Sequence, residues 1–180
     1  MVTKILKIAG IVLVLLTLWA CPFEKKIKNA IPFNIPDLIS VTPLDTVYHV
    51  GDRIVYTAVI PSRIDSLDID IYEDTGVTST LIIGSEIYRF DGNVIEVSKG
   101  YTRRLGDENT LSAFVIYNPT DKVYEFQARI TFTQPGEYRI FLSGINIIFD
   151  NKKSEYNAYQ IKTSIQNSGS EDMWEFRVVP

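Results

Sequence analysis

The sequence predicts an all-β fold, an antiparallel β-sandwich that follows an N-terminal targeting segment and a short tether. Three observations predict it. Apolar and polar residues alternate with period two from about residue 39 onward, no stretch keeps a helical period over three turns, and turn residues separate the runs at short intervals. Many short strands with regular turns are typical of a sandwich or of a sheet closed on itself, and we expect the sandwich.

The composition narrows the class of protein. The chain has 180 residues, 46% of them apolar, a formal net charge of −4, one Cys and one His. These values fit one globular domain and not a disordered or multi-span membrane chain. An acidic balance argues against a nucleic-acid partner, because phosphate binding needs an excess of clustered Lys and Arg. One Cys cannot form an internal disulfide, one His excludes multi-His metal sites, and we expect no cofactor.

Residues 1–20 have the order of a secretory signal, with Lys4 and Lys7 before a mostly apolar run. The stretch from Ile8 to Cys21 holds 14 positions without a charge. A helix that spans a bilayer needs about 20 apolar residues. The segment therefore predicts a cleaved signal in preference to a permanent transmembrane anchor.

The run ends in Leu18-Trp19-Ala20-Cys21, which resembles the bacterial lipoprotein signal. The resemblance implies cleavage between Ala20 and Cys21 and acylation of the Cys21 thiol. The mature chain would then have 160 residues, a formal net charge of −6 and no free thiol. Two or three acyl chains hold a protein on a bilayer stably. Pro22, where an acidic residue can retain such proteins at the inner membrane, favours the outer membrane and leaves the periplasmic or surface side open.

Residues 21–38 form the predicted tether, which contains three prolines and three lysines. Proline disfavours both helix interiors and central strands. The lysines are Lys25, Lys26 and Lys28, and they suit either contact with anionic lipid or a solvated spacer. The β-domain is predicted to occupy residues 39–180.

Alternating runs mark the predicted strands of that domain. They lie at residues 39–42, 46–50, 53–60, 67–72, 80–90, 93–98, 111–117, 122–133, 137–149, 156–165 and 173–179. The clearest run is 122–133, whose even-numbered residues from Tyr124 to Phe132 are apolar. Gln134-Pro135-Gly136 then breaks the pattern, which predicts two long strands joined by a tight turn.

Two further turn features are expected. In the run 137–149 the apolar positions change from even to odd at Ser143-Gly144, which predicts a β-bulge. Asp91-Gly92, between Phe90 and Val94, predicts a two-residue hairpin turn.

The segment Pro135-Gly136-Glu137-Tyr138-Arg139-Ile140 resembles the corner that enters the penultimate strand of immunoglobulin-like sandwiches. The resemblance implies that the Tyr138 hydroxyl bonds back to the upstream backbone, two residues before a buried Ile140. Residues 48–54 resemble the early turn of bacterial immunoglobulin-like modules, in which Gly51-Asp52 separates two strands. The second strand would bury Ile54, Tyr56, Ala58 and Ile60.

The predicted fold is therefore an immunoglobulin-like antiparallel β-sandwich over residues 39–180. Joined to a lipoprotein signal, a single domain of this size resembles the lipoproteins of Bacteroidota envelopes.

The densest acidic cluster contains Asp65, Asp68 and Asp70, followed by Glu73 and Asp74. Carboxylates at this spacing can hold calcium. The alternative is a strand over 67–72 in which Asp68 and Asp70 face solvent, because alternation alone places them there.

Tyr101, Arg103 and Arg104 are the predicted recognition residues, in a loop that runs from Gly100 to Asn109. Tyrosine and arginine are enriched at binding surfaces. Other aromatic residues that would serve if exposed are Tyr156, Tyr159 and Trp174.

No catalytic motif accompanies these residues: the sequence has no nucleophile elbow, no zinc-protease helix and no phosphate loop. We therefore expect a non-enzymatic envelope protein that binds a protein partner or a glycan. The alternative is a structural or accessory subunit of an outer-membrane or surface assembly. A hydrolase would need carboxylates that converge in a cleft.

We expect Cys21→Ala to leave an unprocessed or soluble form, because the thiol that accepts the lipid is removed. Membrane fractionation and intact-mass measurement of protein from the native host check this. Recovery of processed, acylated Cys21→Ala protein would contradict the lipoprotein prediction.

Overall fold

The computed structural model describes residues 30–83, 87–88, 93–104, 111–141, 144–148, 158–169 and 173–180. The predicted signal peptide, Cys21 and residues 22–29 of the predicted tether lie outside these ranges. The strands are β1 (Ala30–Asn34), β2 (Ile39–Thr42), β3 (Val47–His49), β4 (Arg53–Pro61), β5 (Arg63–Ile64), β6 (Ile69–Asp70), β7 (Ser79–Ile83), β8 (Ile87–Tyr88), β9 (Val94–Lys99), β10 (Tyr101–Arg104), β11 (Leu111–Asn118), β12 (Val123–Thr131), β13 (Gly136–Phe141), β14 (Gly144–Ile148), β15 (Ala158–Lys162) and β16 (Met173–Val179). A 3-10 turn covers Asp65–Leu67 and one short helix, α1, covers Ile71–Thr75.

The fold is an all-β sandwich, as predicted. A ten-stranded sheet has the order β1-β15-β14-β7-β11-β12-β4-β2, with β10 beside β11 and β9 beside β12. A four-stranded sheet has the order β3-β16-β13-β8, and β5 and β6 form a small ribbon. Two pairings are parallel, β1 with β15 and β3 with β16, and every other strand pairing in the described ranges is antiparallel.

The segment 30–42 joins the two ends of the large sheet. Its first part, β1, pairs with β15, and its last part, β2, pairs with β4. Between them, Ile35 N–H donates to Lys162 O at 2.9 Å, and Ile39 forms a bridge with Ile165. Residues 30–38 were predicted to belong to the tether, but residues 30–34 form the edge strand β1, which accommodates the proline at position 32, and residues 35–38 form the turn that leads to β2.

One apolar core lies between the sheets. The predicted alternation in 122–133 is confirmed, because all five even-numbered apolar side chains from Tyr124 to Phe132 are buried. Ile54, Tyr56, Ala58 and Ile60 of β4 are buried as well. At one end of the core the rings of Tyr48, Phe132 and Phe176 lie 5.2–5.3 Å apart between centroids. Such aromatic packing adds to the free energy gained by burying apolar area.

The chain crosses between the sheets where hairpins were predicted. The turn at 134–136 joins β12 of the large sheet to β13 of the small one, so these strands do not pair with each other. The strands on either side of 142–143 also lie in different sheets, so the change of parity accompanies a crossing and not a bulge within one ladder. The hairpin predicted at 90–94 is wrong too, because β8 pairs with β13 and β9 pairs with β12. The turn residues 91–92 and residues 142–143 are outside the described ranges.

The predicted tyrosine corner is confirmed. The Tyr138 hydroxyl donates to Gln134 O at 2.8 Å, and Ile140, two residues later, is fully buried. The predicted Gly51-Asp52 turn also separates two strands, and Gly51 has a φ of 97° there. The Asp52 carboxylate accepts a hydrogen bond from His49 N–H at 2.7 Å, which holds the turn.

The strand predicted over 67–72 is wrong. The segment instead contains the end of the 3-10 turn, the two-residue strand β6 and the start of α1. Asp70 caps α1, since its carboxylate accepts from the N–H groups of Tyr72 and Glu73 at 3.1 Å, and Gly76 ends the helix with a φ of 64°. The sequence signal was Asp70 followed three residues later by Glu73, with Gly76 behind them.

Gly100 lies at the point where β11 and β12, two neighbouring strands of the large sheet, separate. We call this separation the fork, and the corner between β9 and β10 lies in it. β11 and β12 pair only between Ile116–Asn118 and Val123–Glu125. Beyond that point, β9 pairs with β12 and β10 pairs with β11, so the chain reverses direction at Gly100. Gly100 has a φ of 74°, and a Cβ there would overlap the carbonyl oxygen of Phe114 and press on the Phe126 ring. Only glycine fits this position.

We expect Gly100→Ala to destabilise the fold by about 1–2 kcal/mol through backbone strain and by about 1–3 kcal/mol more through the overlap. Gly76→Ala is the matched control, because Gly76 has a similar positive φ of 64° and no atom within 4 Å of an added Cβ. Urea unfolding of the purified protein measures both. Equal losses in the two variants would show that the fork does not enclose Gly100 tightly.

Candidate functional site

The predicted recognition residues lie on β10 of the large sheet, where Tyr101 and Arg103 are exposed on the outer face. Tyr101 is 44% exposed, and its ring lies flat on the Phe114 ring, with centroids 4.7 Å apart and planes 6° from parallel. We call this pair the aromatic step. Arg103 is exposed two residues further along β10, while Arg104 ends the strand and its side chain is outside the described part of the structure. The residues predicted to lie in a loop up to Asn109 begin instead as a strand.

A row of polar side chains continues the same face along β9 and β12. Ser98 Oγ donates to Gln127 Oε1 at 2.9 Å, and Arg129 lies beside Glu96 with 3.3 Å between nitrogen and oxygen. Lys99 Nζ donates to Glu125 Oε1. We call these six residues, Glu96, Ser98, Lys99, Glu125, Gln127 and Arg129, the polar strip.

The aromatic step and the polar strip are continuous. Phe114 and Ile116 share one parity of β11, and Ile116 lies directly opposite Glu125 of β12. Ile116 is 42% exposed, which places this parity on the outer face. The corner at Gly100 thus brings Tyr101 next to one branch of the fork and Lys99 next to the other.

Glu125 is held at the centre of this face by two donors. Lys99 bonds one carboxylate oxygen, and Asn118 Nδ2 donates to the other at 3.0 Å. These hydrogen bonds, with that of Lys99 first, lower the pKa of Glu125 below its usual range. Glu125 is therefore ionised at neutral pH, and its charge is matched by Lys99.

A groove of about 340 Å³ lies at the β9 end of the polar strip. Val55 and Val97 contribute apolar wall, and Glu96, Ser98, Gln127 and Arg129 contribute polar groups. Gln127 Nε2 also donates to Thr57 Oγ1 at 3.4 Å, which links the groove to β4. The volume is at the lower end of the range of small-molecule sites.

The acidic residues predicted as a calcium site have other partners. The Arg63 guanidinium bonds the carboxylates of both Asp65 and Asp68. Asp70 accepts from Ser62 Oγ at 2.7 Å while it caps α1, and these hydrogen bonds, the Ser62 bond first, lower its pKa. Within the described ranges no three His, Cys, Asp or Glu side chains are placed to hold a metal ion.

Two other aromatic residues named from the sequence are buried. Trp174 is 5% exposed and Tyr159 is 7% exposed, so both serve the core. Tyr156 lies outside the described residues. Of the four aromatic residues named from the sequence, Tyr101 is the one that the described part of the structure shows to be exposed.

A second, shallower groove of about 250 Å³ lies on the small sheet. Thr46, Val47, Glu137, Glu175, Phe176 and Arg177 line it. Glu175 is paired there with Arg139, at 2.9 Å between nitrogen and oxygen. Next to it, Val47 of the edge strand β3 is 46% exposed.

Sequence reasoning missed the polar strip. Glu125, Gln127 and Arg129 are the polar positions of the clearest alternating run, so they read as an ordinary solvent face. Their partners on β9 follow only from strand pairing, which no local pattern reveals. The available signal was Gly100, a glycine between two strand-like runs, which often marks a bend or a close backbone approach.

Comparison of the chain with models of protein families, with curated proteins and with solved structures found no match in any of the three. No helix in the described part of the chain has the length and apolar character of a transmembrane span.

We expect Asp70→Ala to lower stability by about 1 kcal/mol, because α1 loses its N-cap. Asp65→Ala is the control, since it removes only an exposed ion pair, which contributes about 0–1 kcal/mol. Thermal melts in buffer and in millimolar calcium measure both variants and the wild type, and calcium should not shift them. A calcium-dependent rise in melting temperature that Asp70→Ala abolishes would restore the metal-site hypothesis.

Proposed function

We propose that the protein is a lipid-anchored, non-enzymatic protein of the cell envelope that binds a protein partner or a glycan at the aromatic step. The observation that carries the proposal is Tyr101, a large ring that is 44% exposed and held flat against Phe114. A ring that is already packed against a second ring loses less conformational entropy when a ligand covers it than a ring without such a contact. Arg103, exposed on the same strand, adds a cation of the kind enriched at binding surfaces.

The anchoring half of the proposal rests on the sequence. The segment Leu18-Trp19-Ala20-Cys21 supports acylation at Cys21 and an outer-membrane location, in the manner of the Bacteroidota envelope lipoproteins with immunoglobulin-like domains. Because β1 begins at Ala30, only residues 22–29 separate Cys21 from the first strand. Eight extended residues span at most about 30 Å. The domain would therefore stay close to the membrane surface.

The two described carboxylates with a shifted pKa, Asp70 and Glu125, lack the property that a general acid in glycoside hydrolysis needs. A general acid in glycoside hydrolysis needs a raised pKa. The pKa values of Asp70 and Glu125 are lowered instead. On the outer face, Glu96 and Glu125 each contact a cation, Arg129 and Lys99 respectively.

A structural subunit of a surface assembly is the second candidate, and one observation favours it. Val47 and Val50, at and just after the edge strand β3, are 46% and 42% exposed. Exposed aliphatic residues at a sheet edge suit a permanent contact with another chain. This reading places the functional surface on the small sheet.

The test compares wild type with Tyr101→Ala and Leu67→Ala in the native host. Leu67 is also 44% exposed but belongs to the 3-10 turn and not to the strands of the proposed site. Mild cross-linking and a glycan array identify what the wild type binds, and calorimetry then measures each variant. We expect Tyr101→Ala to weaken binding about thirty-fold, because truncating a central aromatic residue costs about 2 kcal/mol, and Leu67→Ala to bind as the wild type.

Unchanged binding by Tyr101→Ala would contradict the proposed site. Loss of the partner in Val47→Ala, with Tyr101→Ala still bound, would establish the second candidate in its place. A melting temperature equal to that of the wild type confirms that each variant is folded.

A further inference from the structure

The charges of the polar strip are matched within the strip. Arg129 is paired with Glu96, and Lys99 is paired with Glu125. A ligand with its own charge would have to compete with these pairs. Such competition leaves one member unpaired, which costs free energy when the surface is desolvated. The strip is therefore complementary to an uncharged ligand.

Uncharged hydrogen-bonding groups occupy the middle of the strip. Gln127 and Ser98 bond each other, and Gln127 extends to Thr57 of β4. A side-chain amide has two donor hydrogens and an acceptor oxygen, and a hydroxyl both donates and accepts. Gln127, Ser98 and Thr57 can therefore form hydrogen bonds with ligand groups that also donate and accept. Sugar hydroxyls have that property, whereas a neutral apolar ligand does not.

The aromatic step supplies the complementary apolar contact. A pyranose ring has one face of C–H groups, which packs flat on an aromatic ring, and the Tyr101 ring is exposed and parallel to Phe114. Phe114 and Gln127 lie on the two branches of the fork, with β10 and β9 between them, so three strand spacings of about 4.8 Å separate them by roughly 15 Å across the outer face. That length accommodates several linked sugar rings.

We infer that the ligand is a neutral saccharide chain, which stacks one ring on Tyr101 and places later rings over the polar strip in the groove beside Ser98 and Gln127. The inference rests on the proposed function and specifies its ligand. The paired charges of the polar strip favour rings without carboxylate or sulfate groups there, and the exposed Arg103 beside Tyr101 supplies guanidinium donors that sugar oxygens can accept. A peptide partner at the same face is an outcome of the test.

The test uses the purified mature protein and an array of neutral hexasaccharides, namely gluco-, manno- and xylo-oligosaccharides, beside uronate-containing and sulfated ones. We expect binding to at least one neutral probe, an affinity that changes less than about two-fold between low and high salt, and no binding to acidic probes. Tyr101→Ala and Gln127→Leu should each weaken the bound neutral probe about ten-fold or more. Tyr101→Phe should keep most of the affinity, because it retains the ring.

Matched controls are Leu67→Ala for the aromatic residue and Gln160→Leu for the amide, since Gln160 is exposed on β15. Both should bind as the wild type. Preference for acidic probes, with an affinity that falls steeply in salt, would overturn the inference. So would binding of a protein partner alone at Tyr101, an outcome that leaves the proposed function standing. Binding indifferent to Tyr101→Ala would overturn both.

Discussion

The outer face of the large sheet depends on the fit of Gly100 between two separating strands. β11 and β12 begin as a paired hairpin and then part, and the corner at Gly100 fills the space with no room for a side chain. Because the chain reverses at Gly100, the residue before it lies beside β12 and the residue after it lies beside β11. Tyr101 lies on Phe114 and Lys99 lies on Glu125, so one backbone constraint positions both the aromatic step and the polar strip.

The core depends on how the chain connects the two sheets. The chain crosses between the sheets at 134–136 and again between β13 and β14. Strands β12, β13 and β14 therefore pack against the core from alternate sides. The segment 30–42 then pairs with β15 on one side and with β4 on the other, which ties the two ends of the large sheet together.

The alternation of apolar and polar residues predicted which side chains are buried, but it did not predict which strands pair with each other. Alternation is a property of one strand, so the buried positions of 122–133 could be predicted directly, while the Tyr138 corner followed from its resemblance to the corner of immunoglobulin-like sandwiches. Either sheet buries the same alternating face, so nothing in residues 134–136 says whether the next strand pairs with the last or crosses to the other sheet. Tyr101 could be named because an aromatic residue beside arginines is unusual. Gln127 and Ser98 could not be predicted as site residues, because only the pairing of β9 with β12 brings them together.

Chemical-shift mapping of the isotope-labelled protein tests most directly whether the outer face is one binding surface. The protein is titrated with the ligand that binds it most tightly, and backbone amide shifts are followed. We expect the largest changes in 96–103, 114–116 and 125–129 together, with β13 and β16 of the small sheet unchanged. Changes confined to the small sheet, or limited to one branch of the fork, would contradict this expectation.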